Sequence, residues 1–346
     1  VINSLYLNPE DISTSGFFIL KKKFLIIRFS SIGDIVLTSP VIRCLKNQFP
    51  ESEVHFLTKK RNADLLKANP HIDKIQLLGD SLSETIRELK AEKYDYIIDL
   101  HNNLRSLWVK LRLQSKSYSF NKLNLRKLFL TRFKLNLMPE AHIVDRNLKT
   151  LSHFHIVNDG KGLEHFIPAE DEFSLSDLPE AFRNRYVAVV LAGTYATKRM
   201  PAEKYKNLIS GVDGPFVLLG GKGERTMADQ ILNWQTGNVI DFTGKLRINQ
   251  SASLVKNARL VISNDTGLMH IAAAFRKKTL SVWGNTTPEL GMYPYLPGEG
   301  SEILEVKGLS CRPCSKLGYH ECPKKHFRCM NDLPEVKIIE WVKREF

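Results

Sequence analysis

An α/β protein of two doubly wound, Rossmann-like domains facing across a crevice is the fold class this sequence predicts, and three observations carry that prediction. Its 346 residues are about twice an ordinary domain of roughly 150 residues. Branched apolar runs of strand length alternate with amphipathic stretches of helix length in both halves, the pattern of parallel sheets covered by helices. Between the halves, residues 158–185 turn acidic, turn-rich and aperiodic, as a connection does.

Residues 1–21 lack a strong period and place Glu10 and Asp11 before a short apolar patch with no basic stretch ahead of it. They read as an extension rather than a secretory leader, and no later run reaches the roughly 18 apolar residues of a membrane span. The first domain is assigned to 22–175. It opens with KFLIIRF as a buried parallel strand. SSIGDIVLTSPVIRCLKNQF follows with Ile35, Val36, Val41, Ile42 and Leu45 at helical intervals, and Pro40 kinks that element or resets its start. EVHFL, KIQLL and YDYIIDL read as further strands, with helices over 62–68, 81–92 and 103–113. A linker is placed near 172–183.

The second domain, 176–332, repeats the alternation. YVAVVLA, FVLLGG, ARLVISN and KTLSVWG are its strands; PAEKYKNLI, GERTMADQILNW and a segment starting near Thr266 are its helices. Residues 333–346 read as a terminal amphipathic helix whose apolar side is Val336, Ile339, Trp341 and Val342. Ligands of doubly wound domains bind beyond the carboxyl ends of the strands.

Fifty Lys+Arg against 37 Asp+Glu leave a net charge of +13, which attracts anionic partners without choosing one. The charge is concentrated. Residues 100–139 hold nine Lys/Arg and no Asp/Glu, interspersed with Leu107, Trp108, Leu111, Phe129 and Phe133. Such a segment suits an anionic lipid acceptor or membrane face, with plain solvated helices as the alternative. No zinc-finger, RRM or KH pattern supports specific nucleic-acid binding. Four of the five cysteines, Cys311, Cys314, Cys322 and Cys329, cluster late, while Cys44 stands alone. That distribution argues against a disulfide framework and for the cytoplasm. The cluster begins as CxxC and can hold a structural zinc, but its later spacings do not enforce convergence; a reduced, metal-free loop is the preferred reading.

Four constellations offer chemistry. In RFSSIGDIVLTSP, Gly33 admits close approach after a strand, and Asp34 is either a proton acceptor or a helix cap. GTYATKRMP places Thr194, Thr197 and Lys198 where phosphate can be met, or in a solvated loop. LLGGKGERTMAD puts Gly220, Gly221 and Gly223 in a strand-to-helix turn, with Glu224 able to accept from ribose hydroxyls, although it is not a clean dinucleotide fingerprint. ARLVISNDTGLMHIAAAF leads a strand into a helix start at Thr266 and Gly267, suited to diphosphate. There Asp265 is a sugar contact or the helix N-cap, and His270 is more readily a packed support than a catalyst.

In this order, RFSSIGDIVLTSPVIRCLK, GTYATKRMP, LLGGKGE, ISNDTGLMHIAAAF and VWGNTTP resemble the signature of glycosyltransferase family 9, the lipopolysaccharide heptosyltransferases, from about Lys22 to the last residue. The resemblance implies a GT-B architecture with an N-terminal acceptor domain and a C-terminal nucleotide-sugar domain. It implies inverting transfer of heptose from ADP-heptose to a hydroxyl of the lipopolysaccharide inner core, at the cytoplasmic face of the inner membrane and without a further cofactor. Motif by motif, it implies Asp34 as catalytic base and Lys198 as the cation that neutralises the donor diphosphate. Thr266 and Gly267 hold phosphate, Asp265 meets the heptose and Glu224 the adenosine ribose. Thr194, Thr197, Gly221 and His270 complete the donor side; Ser31, Gly33 and Arg105 lie toward the acceptor. Competing readings are a family member with another nucleotide-sugar or glycan acceptor, an NAD(P)-dependent oxidoreductase, and a basic lipid- or nucleic-acid-binding protein.

Overall fold

In the computed structural model, which describes residues 21–183, 185–234 and 238–346, every strand run named above lies in a parallel strand, and the strands pair into two separate sheets. The first sheet joins β1 (Lys23–Ile27), β2 (Glu53–Lys59), β3 (Lys74–Leu78), β4 (Tyr96–Asp99) and β5 (Lys116–Ser119) in the order β3-β2-β1-β4-β5. The second joins β6 (Val187–Val190), β7 (Phe216–Leu219), β8 (Val239–Asp241), β9 (Leu260–Asn264), β10 (Thr279–Trp283) and β11 (Glu302–Glu305) as β11-β10-β9-β6-β7-β8. The extension assigned to 1–21 lies, Lys21 apart, outside the described residues.

Central strands are the legible ones because both their faces are covered. Residues 24–27, 187–190 and 260–264 are buried without a break, which forces continuous apolar runs. Three strands have no counterpart in the sequence reading: KSYS in β5, VID in β8 and EILE in β11. All three are sheet edges, short and largely uncovered, so no apolar run marks them.

Among helices, Pro40 resets the start as one of its two readings allowed. A short helix, Ile32–Val36, ends before a second, Ser39–Gln48, which carries Pro40 in its first turn. The helix expected over 62–68 is a 3-10 segment, Lys60–Leu65. The acidic connection is fastened to the second unit: Phe173 N donates to Ser253 Oγ at 2.8 Å, and Lys256 pairs with Glu172 at 2.7 Å. The terminal helix, Glu335–Glu345, packs on the second unit beside helix Ala202–Gly211, with Ile338, Trp341 and Val342 buried. Val336 is a correction: it is 64% exposed, and Ile338 occupies the buried stripe in its place. Among the described residues no helix is long and apolar enough to cross a membrane.

The two units touch where Ile32–Val36 of the first meets helix Gly267–Ala274 of the second. A Cβ on Gly33 would lie 2.6 Å from His270 Cδ2, and one on Gly267 2.6 Å from Ile32 Cγ2. Backbone ties flank this contact: Ile143 N donates to Gly291 O at 2.8 Å, and Asn249 Nδ2 to Asp64 O at 2.9 Å. In each sheet the chain reverses its direction of strand addition at this point, between β1 and β4 and between β6 and β9, so two switch points face each other.

Gly33→Val therefore drives a side chain into the opposite unit and should cost roughly 1–3 kcal/mol in urea unfolding. Gly79→Ala, whose added Cβ meets nothing nearer than Thr85 Oγ1 at 3.5 Å, should stay within about 0.5 kcal/mol of the parent. Equal stability of the two variants would contradict the contact.

Candidate active site

Between the units lies a cleft of about 720 Å³, built from the loops that leave β1, β5, β6 and β9 and from the end of β10. On the first unit's wall, Arg28 folds back from the end of β1: Nε donates to Ser30 O at 2.9 Å and Nη1 to Leu100 O. Its Nη2 meets Asp34 Oδ1 at 2.5 Å. Ser31 N and Oγ donate to the other carboxylate oxygen at 3.0 and 2.8 Å. Ser31 is the N-cap and Asp34 the third residue of the helix, a capping box. Asp34 is thus the helix cap that one of its two readings expected, and it lines the cleft as well. Burial alone would raise its pKa; the Arg28 charge and the Ser31 hydrogen bonds outweigh burial and hold it at about 2.

On the opposite wall, Lys198 Nζ lies 2.6 Å from Asp265 Oδ2, to which Thr286 Oγ1 also donates at 2.9 Å. The helix N-cap is Thr266, not Asp265, so the capping alternative for Asp265 is corrected and its carboxylate is engaged by Lys198 instead. Thr266 makes no side-chain cap hydrogen bond, and of the first-turn amides Met269 N turns back to Thr266 O at 3.2 Å. Thr266 and Gly267 both line the cleft. Asn264, at the end of β9, holds this wall together. Its Nδ2 lies 3.0 Å from Tyr205 Oη and 3.2–3.3 Å from the carbonyls of Val190, Leu191 and Ala192. Its Oδ1 accepts from Met200 N at 3.2 Å. One amide therefore pins the 193–201 loop beside β9 and brings Lys198 to Asp265.

His270 is buried between the walls against Gly33. Burial pushes its imidazole down to about 4, with Asp265 and Asp34 opposing the fall and Lys198 adding to it, so it is neutral near pH 7 and fits the supporting role.

The structure brings Ser31, Gly33, Asp34, Thr194, Lys198, Asp265, Thr266, Gly267 and His270 to one cleft. It does not bring Thr197, Gly221, Glu224 or Arg105 to that lining. Thr197 is buried, and its hydroxyl both donates to Tyr319 O and accepts from Tyr319 N, at 3.0 and 2.8 Å. Glu224 pairs with Arg199 at 2.7 Å and accepts from Gly221 N at 2.9 Å, closing the glycine turn on itself. Arg105 sits exposed on helix Leu104–Leu113.

Sequence reasoning missed Arg28, Arg61, Lys122, Lys127 and Lys316 as lining residues. Lys122 and Lys127 were visible only as members of the basic segment. The short helix Asn124–Leu128 turns Asn124 and Lys127, three apart, into the cleft, while Leu125 and Leu128 stay 72% and 50% exposed. The cleft thus carries six cationic side chains, counting Lys198, against two carboxylates, Asp34 and Asp265, both already paired. Such a lining recruits a polyanion.

The late cysteines are free thiols. Cys329 is buried and the other three partly so. Burial and the neighbouring thiols push Cys314 up to about 11 and Cys329 to about 12, which keeps both protonated. Among the described residues only Glu53, His55 and Glu92 bring three metal-ligating atoms within 4.8 Å of one another. Lys23 occupies both of those acids at 3.0 Å, so they form an ion-pair network rather than a metal centre.

Residues 83–317 match the family model for glycosyltransferase family 9 (heptosyltransferase). The chain is 24% identical over 330 residues to lipooligosaccharide heptosyltransferase 2 of Campylobacter jejuni, covering 90% of this chain and 94% of the relative. Its fold is similar to a family 9 glycosyl transferase from Veillonella parvula, with a TM-score of 0.76, 19% identity and coverage of 94% and 97%. It is also similar to the E. coli heptosyltransferase WaaC with ADP-2-deoxy-2-fluoro heptose, at a TM-score of 0.66, 18% identity and coverage of 94% and 100%. Both likenesses span the two sheets, and the fold is GT-B.

The Arg28–Asp34 pair gives this site a measurable signature. Because the folded pKa of Asp34, about 2, lies below its ordinary 3.8, the pair stabilises the fold by about 2 kcal/mol above pH 4. That contribution is lost as pH falls through 2. Arg28→Met leaves burial opposed only by Ser31, so the carboxyl should titrate about one unit or more higher in a carbon-13 NMR titration. An unmoved Asp34 resonance would show that Arg28 does not set its charge.

Proposed function

The chain belongs to glycosyltransferase family 9, and from that premise we propose that it transfers heptose from ADP-heptose to a hydroxyl of the lipopolysaccharide inner core, with inversion at the anomeric carbon. The observation that carries this reading is the division of labour across one cleft. A proton-accepting carboxylate, Asp34, stands on one wall; a cation and a helix start, Lys198 and Thr266–Gly267, stand on the other. This reading is supported by the C. jejuni relative, a lipooligosaccharide heptosyltransferase, and by WaaC, whose structure holds ADP-2-deoxy-2-fluoro heptose.

In this mechanism the donor diphosphate lies against Thr266, Gly267 and Lys198, with Lys198 exchanging its Asp265 partner for phosphate oxygen. Asp265, released from the ammonium but still held by Thr286, accepts from sugar hydroxyls. The acceptor oxygen attacks the anomeric carbon from the Asp34 side. As that bond forms, the bond from the anomeric carbon to the diphosphate oxygen breaks, and ADP departs with the electron pair. The hydroxyl proton passes to Asp34. A carboxylate with a pKa of about 2 is a weak base toward a neutral alcohol, so proton transfer runs late, once bonding to carbon has made the hydroxyl acidic. Lys198 acts at the other end by stabilising the charge that develops on the leaving diphosphate. Thr194 lines the same wall, and Glu224 and Gly221 are proposed to reach the ribose only where the nucleoside extends beyond the cleft.

The enzyme is proposed to work in the cytoplasm, at the membrane face. Leu104, Trp108 and Leu111 on helix Leu104–Leu113, which also carries Arg105 and Arg112, are each at least 50% exposed, as is Phe133 next to Arg132 in sequence. Exposed apolar side chains mixed with cations suit an anionic bilayer.

Incubation with ADP-heptose and defined inner-core acceptors, read by mass spectrometry, tests the reaction. Failure to transfer to every acceptor would overturn the heptosyl reading, whereas use of a different activated sugar would retain the class. Asp34→Asn should lower kcat by roughly 10²- to 10⁴-fold with donor affinity within about twofold by calorimetry; unchanged turnover excludes Asp34 as the base. In flotation, binding should follow vesicles with anionic lipid and fall on Trp108→Ser combined with Phe133→Ser. Equal recovery with neutral vesicles would argue against the bilayer contact.

A further inference from the structure

Beside the cleft lies a second hollow of about 850 Å³ that no step above uses. One wall is the stretch 124–134 of the first unit and the other is the cysteine-bearing loop 310–324 of the second. Asn124, Lys127 and Lys316 line both spaces, so the hollow continues the cleft rather than standing apart from it.

Its charged lining is Lys127, Arg132, Lys134, Lys316 and Lys324, without one Asp or Glu. Cations gathered this way repel one another, and folds ordinarily relieve the repulsion with carboxylates. Here Lys134 alone is engaged, and by carbonyls: its Nζ donates to Thr131 O and Pro313 O at 2.7 Å each and to Cys311 O at 3.2 Å. Those bonds tie the two walls to each other. The side chains of Lys127, Arg132, Lys316 and Lys324 take no carboxylate partner among the described residues. Solvation does not account for the group at the junction. Burial pushes the Lys127 ammonium down to about 8, Arg146, Lys316 and Arg28 add to the fall, and only Asp34 opposes it.

The nearest carboxylates of the cleft are already engaged, Asp34 by Arg28 and Asp265 by Lys198. A donor diphosphate held by Lys198 and the Gly267 helix start leaves the cations of the hollow uncompensated. On the transferase reading, the wall that carries Asp34 receives the acceptor, and Lys127 and Arg132 extend that wall outward. We propose that the hollow is an outer acceptor subsite, in which Arg132 and Lys324 grip an oxyanion, phosphate or carboxylate, carried by the acceptor beyond the sugar that is glycosylated. Arg132 supplies a planar fork and Lys324 a point charge, one from each unit, so an occupied subsite also joins the two walls. This assignment rests on the transferase reading.

The test uses the full chain, an Arg132→Ala/Lys324→Ala double variant and O-deacylated inner-core lipooligosaccharide as acceptor, which removes any bilayer contribution. Four preparations are compared: intact, dephosphorylated, carboxyl-reduced, and both dephosphorylated and carboxyl-reduced. The double variant should raise KM for intact acceptor roughly tenfold, with kcat and the ADP-heptose KM within about twofold of the parent. Removing the recognised oxyanion from the acceptor should impose the same loss on the parent, and the double variant should then lose nothing more. Whichever preparation shows that non-additivity identifies phosphate or carboxylate. An unchanged acceptor KM, or equal losses on an acceptor stripped of both oxyanions, overturns the subsite. Calorimetric binding of intact acceptor provides a readout independent of turnover. Equal affinity of parent and double variant refutes the subsite even if the transferase reading fails, and absence of transfer with a preserved affinity difference refutes only that reading.

Discussion

The structure depends on one close contact: two helix starts, one from each sheet, meet with glycine on both sides. At Gly33 and Gly267 a single added carbon would fall 2.6 Å from an atom of the other unit. Everything else in the cleft is measured from that contact. Asp34 follows Gly33 by one residue, and Asp265 and Thr266 immediately precede Gly267. The carboxylate of one wall and the helix start of the other are therefore set apart by backbone, not by flexible side chains. Glycine at 267 is thus explained first by the opposite unit, which fills the space its side chain would occupy, and only secondarily by any need to admit a diphosphate. His270 completes the arrangement by packing against Gly33, where its neutral ring adds no charge to a contact already bordered by two carboxylates.

The second organising feature is that each carboxylate of the cleft carries its own cation. Arg28 with Asp34, and Lys198 with Asp265, make two internally neutral pairs in a space where an isolated buried charge would cost several kcal/mol. The pairs differ in what they can release. Arg28 is also tied to two backbone carbonyls, so it is a fixed counter-charge that, together with Ser31, holds the Asp34 carboxyl at about 2. Lys198 has, besides Asp265 Oδ2, only a long contact of 3.4 Å to Asp265 O. Fewer contacts hold Lys198 than hold Arg28, and Asp265 is held by Thr286 as well. On the proposed reaction, the fixed pair would stand on the side of the base and the more loosely held cation on the side of the diphosphate.

What was legible in the sequence follows the same physics. Buried central strands and the motifs at their carboxyl ends are written in contiguous residues, so KFLII, VAVV and LVISN, with the residues that follow them, were readable, and they account for most of the cleft. Of the edge strands only KIQLL, which is apolar enough to show, was readable; KSYS, VID and EILE were not, because an edge strand need not be apolar. Glu224 and Thr197 illustrate a different limit. Their side chains have the right chemistry for a ligand, but Arg199 and Tyr319 use it, and neither partner can be inferred from spacing. Asn264 is the converse: it reads as one more polar letter before the aspartate, yet its five hydrogen-bond partners hold the Lys198 wall in place.

The basic segment shows why a charge run cannot be assigned to one surface. Residues 100–139 looked like a single cationic face, but the chain folds them into two elements separated by β5, and Asn124–Leu128 is a helix of barely more than one turn. Lys127 lines both the cleft and the adjoining hollow, and Leu125 and Leu128, although 72% and 50% exposed, line that hollow beside it. The charge run therefore divides between the outside of one helix, where Arg105 is exposed, and the lining of the cleft and hollow, where Lys122, Lys127, Arg132 and Lys134 sit.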